Sequence, residues 1–209
     1  MTDALTIEKF VDLTRVLHGD QFKNISPFCL VGKKLGSFLE TFLSNQGVKD
    51  KPIIKGQVHE SAVIVGAVLI DEGAVVEPGA YIQGPCYVGP KAQVRHCAYI
   101  RGNVYVGARA VVGHTTEVKG AIFFDDAKAG HFAYIGDSIL GRDTNLGAGT
   151  KLANLGLRRS EVRLKHPDTE ELVGTGLDKF GAIMSDESQT GCNSVLNPGS
   201  ILMQKTLVL

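Results

Sequence analysis

From Val58 onward a large β-branched aliphatic residue returns at every sixth position. It stands at Val58, Ile64, Ile70, Val76, Ile82, Val88, Val94, Ile100, Val106, Val112 and Val118. Four places later in each block comes a mostly small residue, as at Ala62, Ala74, Ala80, Cys86, Ala92, Ala98 and Ala110. An α-helix turns every 3.6 residues, so a period of six cannot keep one of its faces apolar. Plain strand alternation cannot explain why the large residue comes back only at every sixth place. A three-sided coil explains both features. Each block then makes one short strand and one corner, and three blocks close a coil. Successive coils stack as parallel strands roughly 4.8 Å apart. The pattern predicts an all-β solenoid.

The repeat slips further on. Ala129 opens a block 11 residues after Val118, one short of two full blocks. Ile135, Leu140, Leu146 and Leu152 follow, at spacings of five, six and six. Residues 153–179 break the pattern and read as a loop thrown out of the solenoid. The repeat resumes at Met184, Thr190, Leu196 and Leu202, which makes six or seven coils in all. Residues 1–52 differ from the rest. TIEKFVDLTRVL and SPFCLVGKKLGSFLETFL carry helical apolar spacing, at Phe10, Leu13 and Leu17 and at Leu35, Phe38, Leu39 and Phe42. Ser26-Pro27 reads as a helix start. The expected organisation is a short N-terminal helical cap of two helices over residues 1–52, closing the open end of a solenoid over residues 53–209.

Composition narrows the reading. There are 25 glycines, no tryptophan and 7% aromatics, which suits small residues in tight corners. A formal charge of zero leaves no excess field for nucleic acid. Cys29, Cys86, Cys97 and Cys192 have no C-x-x-C spacing and read as free thiols packed like small apolar residues. Neither a leader pattern nor an 18-residue apolar run is present, so a cytoplasmic protein without a membrane partner is expected.

A period of 18 turns sequence separation into contact. Arg101 and Lys119 are 18 apart and should share a corner, where two cations repel and an anion such as phosphate would relieve them. His96 and His114 are 18 apart, and the slip brings His131 into the same file. Such a ladder suits a general base, a metal site or packing between subunits. Tyr81 with Tyr99, and Tyr87 with Tyr105, read as ordinary aromatic ladders. Arg158, Arg159, Arg163, Lys165 and His166 form a basic run that reads as solvated or as facing a polyanion.

The segment from Tyr99 to Leu155 contains YIRGNVYVG, HTTEVKGA, KAGHFAYIGDSILG and NLGAGTKLANL in that order. This resembles the acetyltransferase half of the bifunctional bacterial enzyme that makes UDP-N-acetylglucosamine, and of related archaeal sugar-phosphate nucleotidylyltransferases. The likeness covers about residues 53–200. It implies a left-handed parallel β-helix of hexapeptide repeats, and acetyl transfer from acetyl-CoA to glucosamine 1-phosphate, an amino-sugar 1-phosphate. By the resemblance His131 is the base, Arg101 and Lys119 hold the phosphate, and Glu117, Tyr134, Asn145 and Asn154 hold the sugar. Ala148 contacts the acyl donor. The family's donor-side serine falls on Asp186, with Ser185 beside it as the candidate contact. The family's Asn-Tyr pair appears as Asn154-Leu155. Residues 1–52 do not resemble the uridyltransferase half, so pyrophosphorylase activity is not expected, and a homotrimer with one flat apolar face is. Two other readings stand beside this one. One is a non-catalytic or regulatory β-helix protein related to sugar-phosphate nucleotidyltransferases. The other is a zinc enzyme like the hexapeptide-repeat carbonic anhydrases, which needs three converging imidazoles.

Overall fold

The structure, a computed structural model, describes residues 5–209. Three parallel sheets form the sides of a solenoid. The first has eight strands, from Ile53–Ile54 to Ser200–Leu202. The second has eight, from Gln57–Val58 to Leu207–Val208, and the third has seven, from Val63–Val65 to Val195–Leu196. Each strand pairs with the strand one coil away, so the repeat read from the sequence is the register. Val88 pairs with Val106, Val94 with Val112 and Ile82 with Ile100. The sheets hold more coils than the six or seven expected, because Ile53–Ile54 lies before the first clear repeat and Leu207–Val208 after the last.

The inward residues Ile70, Ile82, Val88, Val94, Ile100, Val106, Val112 and Val118 are all fully buried, with Ala74, Ala80, Ala92 and Ala110 between them. Corner backbone groups are paired as well. Arg95 N–H donates to Val112 O at 2.8 Å and Tyr99 N–H to Thr116 O at 2.9 Å. The ladder therefore leaves few buried backbone groups to satisfy.

The slip has a definite place. Val106 pairs with Phe123 and Val118 with Ile135, each 17 residues on rather than 18. Ile135 then pairs with Leu152, again 17 on. Both shortened blocks, Val118 to Phe123 and Ile135 to Leu140, turn from the third sheet into the first.

The N-terminal segment corrects the expected cap. Four 3-10 turns, Ile7–Lys9, Leu13–Arg15, Gly19–Phe22 and Pro27–Cys29, precede a single helix α1, Gly32–Asn45. Residues 1–4 of the expected cap lie outside the described residues. The segment lies along a flank of the solenoid rather than over its end. The outward positions of the first sheet are large and apolar (Leu69, Tyr87, Tyr105, Ile122, Ile139, Ile183), and they share a second core with Ile7, Phe22, Leu35, Leu39 and Phe42. That face would be costly to leave in water. The segment before α1 cannot run as one helix. Asp12 caps a short turn by accepting from Thr14 N–H, His18 and Asn24 take positive φ, and Pro27 starts a fresh turn. Tyr87 and Tyr105 stand in file, as their spacing predicts, with rings tilted by 35° and 4.9 Å between centres, and Phe22 and Phe42 pack edge-on against Tyr105 and Tyr87 at 5.2 Å.

Two buried carboxylates pin the segment down. Asp125 accepts Leu17 N–H at 3.1 Å, and Asp186 accepts Asp12 N–H at 2.9 Å and Arg142 N–H at 2.7 Å. Residues 153–179 leave the solenoid, and within them Arg163–Lys165 pairs antiparallel with Leu172–Gly174. Lys9 and Asp168 form an ion pair between the two appendages. Cys86 is buried as expected, but Cys29, Cys97 and Cys192 are exposed free thiols. Among the described residues no helix is long and apolar enough to cross a membrane.

Val106→Asp places an unpaired carboxylate inside the coil, and thermal unfolding should register a loss of about 4 kcal/mol or failure to fold. Val106→Ala, as a control, should cost less. Burial pushes the Asp125 and Asp186 carboxyls above the usual carboxylate range, against the backbone N–H groups that pull them down. A raised folded-state pKa means the folded chain holds the proton longer than the unfolded one. Stability from these groups is full below the unfolded value, about 3.9, and declines as pH rises through the folded value. Asp186→Asn should flatten that decline in urea titrations run across the acid range.

Candidate functional site

On the third sheet, outward residues flank each buried one. Tyr99 and Arg101 flank Ile100, Glu117 and Lys119 flank Val118, and Tyr134 precedes Ile135. Glu117 pairs in register with Tyr99 on one side and Tyr134 on the other. These side chains therefore stand in file on one surface. The Arg101 Nη1 donates to Glu117 Oε1 at 2.6 Å, and the guanidinium carbon lies 5.9 Å from the Tyr99 ring centre. The Lys119 ammonium donates to both Asp137 oxygens, at 3.1 and 2.9 Å. The Asn154 amide donates to Asp137 Oδ2, and the Tyr134 hydroxyl donates to Asn154 Oδ1 at 3.3 Å. Burial lifts the Tyr134 phenol above its usual range, which keeps it a donor.

The two stacked cations share a corner, as expected. They are not bare, because each is matched by a carboxylate within the chain. Asp137, 3% exposed at its side chain, was missed in the sequence. Its signal was the five-residue block Ile135 to Ile139, a corner short by one residue, where the carboxylate is buried among Lys119, Asn154 and the start of α1. A cavity of about 500 Å³ opens here, bordered by Arg101, Lys119 and Asp137 together with Lys33 and Lys179.

His131, Asn145 and Ala148 gather elsewhere. They line an open cavity of about 710 Å³ on the second sheet, with Arg109 and Lys128. His131 is exposed at the corner between the second and third sheets and pairs in register with His114. The His96 and His114 rings stack at 6.1 Å and 10°. The imidazole ladder is thus real, yet no group of three His, Cys, Asp or Glu converges to hold a metal among the described residues. Within one chain His131 closes a second-sheet strand, while Lys119 lies at the far end of the third-sheet strand that follows this corner. Gly136 is the register partner of Lys119 and stands five residues after His131, a span of at most about 17 Å at 3.3 Å per residue. Arg101 folds back along this sheet to reach Glu117 at the strand start, which shortens the gap.

Two other expectations move. Ser185 is buried, and its hydroxyl has no partner there. It lies beside Asp186, which bonds Phe10 and Asp12 of the N-terminal segment, and it does not border the cavity that His131 and Ala148 line. Of the basic run, Arg163, Lys165 and His166 line a third cavity between the extruded hairpin and residues 198–203. None of them borders the third-sheet site.

Comparison with known proteins returns the family described as the GMPPB C-terminal domain, matching residues 82–208. A bifunctional sugar-1-phosphate nucleotidylyltransferase/acetyltransferase of Sulfurisphaera tokodaii is 33% identical over 144 residues, covering 69% of this chain and 35% of its own. A protein described as bifunctional protein GlmU, from Methanococcus maripaludis, is 31% identical over 210 residues, covering 100% of this chain and 48% of its own. The chain thus spans about a third to a half of the length of these relatives. A hexapeptide transferase family protein of Anaplasma phagocytophilum superposes with a TM-score of 0.38 at 16% identity, over 74% of this chain and 73% of that one.

Asp137→Ala would strand Lys119 and the Asn154 amide together. It should lower stability by about 2 kcal/mol in chemical unfolding, whereas Glu117→Ala, at an exposed pair, should cost under about 1 kcal/mol.

Proposed function

The chain belongs to the GMPPB C-terminal domain family, and from that premise we propose that it transfers acetyl from acetyl-CoA to the amino group of glucosamine 1-phosphate, an amino-sugar 1-phosphate. The observation that carries this reading is the outward file of Arg101, Glu117, Lys119 and Tyr134, in which Arg101 pairs with Glu117 and Asp137 joins Lys119 to Asn154 and so to Tyr134. A sugar hydroxyl meets donors and acceptors there, and a phosphate meets the cation end.

In the reaction the amine lone pair attacks the thioester carbonyl carbon. His131, exposed at its corner, takes the proton from the amine nitrogen. The tetrahedral intermediate collapses, the carbon–sulfur bond breaks, and the thiolate recovers that proton from the imidazolium. Products are the N-acetylated sugar phosphate and the CoA thiol. Ala148 and Gly147, at a tight corner beside His131, border the donor side, where a backbone N–H steadies the oxyanion. Asn145 lies on the same surface.

The assembly in this reading is a homotrimer. The first sheet is covered by the chain's own N-terminal segment, so the contact face falls on the other two. Val63, Val65 and Tyr99 on the third sheet and Val75 on the second are exposed apolar side chains that suit it. The amine and the phosphate of the acceptor stand on adjacent carbons, so in this reading the trimer contact brings the His131 corner of a neighbouring copy to the cation end.

Thiol release from acetyl-CoA should depend on glucosamine 1-phosphate. His131→Ala should cut kcat by about 10²- to 10⁴-fold, and Arg101→Ala should raise KM for the acceptor with the fold intact. Thiol release equal to background, or a His131→Ala variant as fast as the parent, would sink the enzyme reading and leave the regulatory one standing.

A further inference from the structure

We infer that the phosphate of the acceptor is held chiefly by Lys33 and Lys34 of α1 and by Lys179 of the extruded segment, rather than by the solenoid cations alone. This inference rests on the acceptor site proposed above and names groups that lie outside the repeat.

The charge balance motivates it. Arg101 is matched by Glu117 and Lys119 by Asp137, at 2.6 and 2.9 Å. Those ion pairs leave little net field for an incoming anion. The same cavity is bordered by Lys33, Lys34 and Lys179, none of which forms an ion pair among the described residues. Asp178 is the only further carboxylate on its wall. Two positive charges remain in surplus, and a phosphate monoester brings about −1.5 to −2 at neutral pH.

Three separate parts of the chain converge on this cavity, and the approach is built in. Gly32 N–H donates to Gly120 O at 2.9 Å, tying the start of α1 to the shortened corner. Both glycines have φ of 57°, and a Cβ on Gly120 would stand 2.8 Å from Gly32 Cα. On the next turn, a Cβ on Gly36 would stand 2.6 Å from Asn103 Oδ1. Close packing at these two points delivers Lys33 and Lys34 to the cavity wall. Their position is otherwise unfavourable. The first turn of α1 has no side-chain cap and no acidic residue, and two lysines there oppose the positive end of the helix dipole. An anion in the cavity turns that repulsion into attraction. The ligand class is a phosphate monoester, met by flexible ammonium groups rather than by a planar guanidinium fork.

Calorimetric titration of the full chain with glucosamine 1-phosphate, with unphosphorylated glucosamine and with inorganic phosphate tests this. The double variant Lys33→Ala/Lys34→Ala should weaken glucosamine 1-phosphate binding at least tenfold and flatten its salt dependence. Glucosamine binding should hold, and Lys33→Arg/Lys34→Arg should restore most of the loss. The melting temperature of the alanine variant should match or exceed the parent's, since a repulsion has been removed. Unchanged affinity for glucosamine 1-phosphate, or equal weakening for the sugar with and without phosphate, overturns the inference. The two proposals fail separately. Lysine-dependent binding of inorganic phosphate by a chain that releases no thiol would keep this inference and sink acetyl transfer. Acetyl transfer with an unaltered acceptor KM in the alanine variant would do the reverse.

Discussion

Everything in this molecule depends on the closure of a three-sided coil whose strands bond through their backbone amides to the coil next door. That ladder fixes a spacing of roughly 4.8 Å between side chains that lie 17 or 18 residues apart in the chain. Inward positions must then be filled by β-branched residues with small partners, because each coil contributes only a few side chains to a narrow interior. Outward positions are free to vary, but not free to move. A residue placed on the third sheet is held by the neighbours above and below it. Chemistry can be written there one letter at a time, with position supplied by the backbone.

The sixfold pattern made the coil legible because sterics leave few residue types for the interior. The same register made the Arg101–Lys119 pair, the imidazole ladder and the tyrosine ladders readable before any coordinates. The N-terminal segment was not readable in that way. Its 3-10 turns have no sustained period, and what places them is the apolar outer face of the first sheet, visible only once Leu69, Tyr87, Tyr105 and Ile122 are known to line up. Asp137 escaped for a related reason, as did the burial of Ser185. Both stand at corners, where the apolar repeat says nothing of which polar side chain is covered.

The ion-paired network and the imidazole stand on adjoining sheets, at the two ends of one side of the coil, and the chemistry proposed needs both. Pairing each cation with a carboxylate of the same chain keeps the side chains oriented, at the cost of attraction for a ligand. An incoming anion must then draw on groups outside the repeat. On this view the regular solenoid supplies orientation, while the irregular appendages supply charge. The division suits a fold whose repeats offer many equivalent ledges and little enclosure.

The contact between Gly32 and Gly120 leaves no room for a side chain on Gly120, whose Cβ would meet Gly32 Cα at 2.8 Å. The N-terminal segment and the repeat array are therefore not freely interchangeable modules. A solenoid with a bulkier residue at that bend would push the start of α1 away, even with the apolar seat for the rest of the segment intact. The fit between the two parts is set at one α-carbon as well as across a broad apolar face.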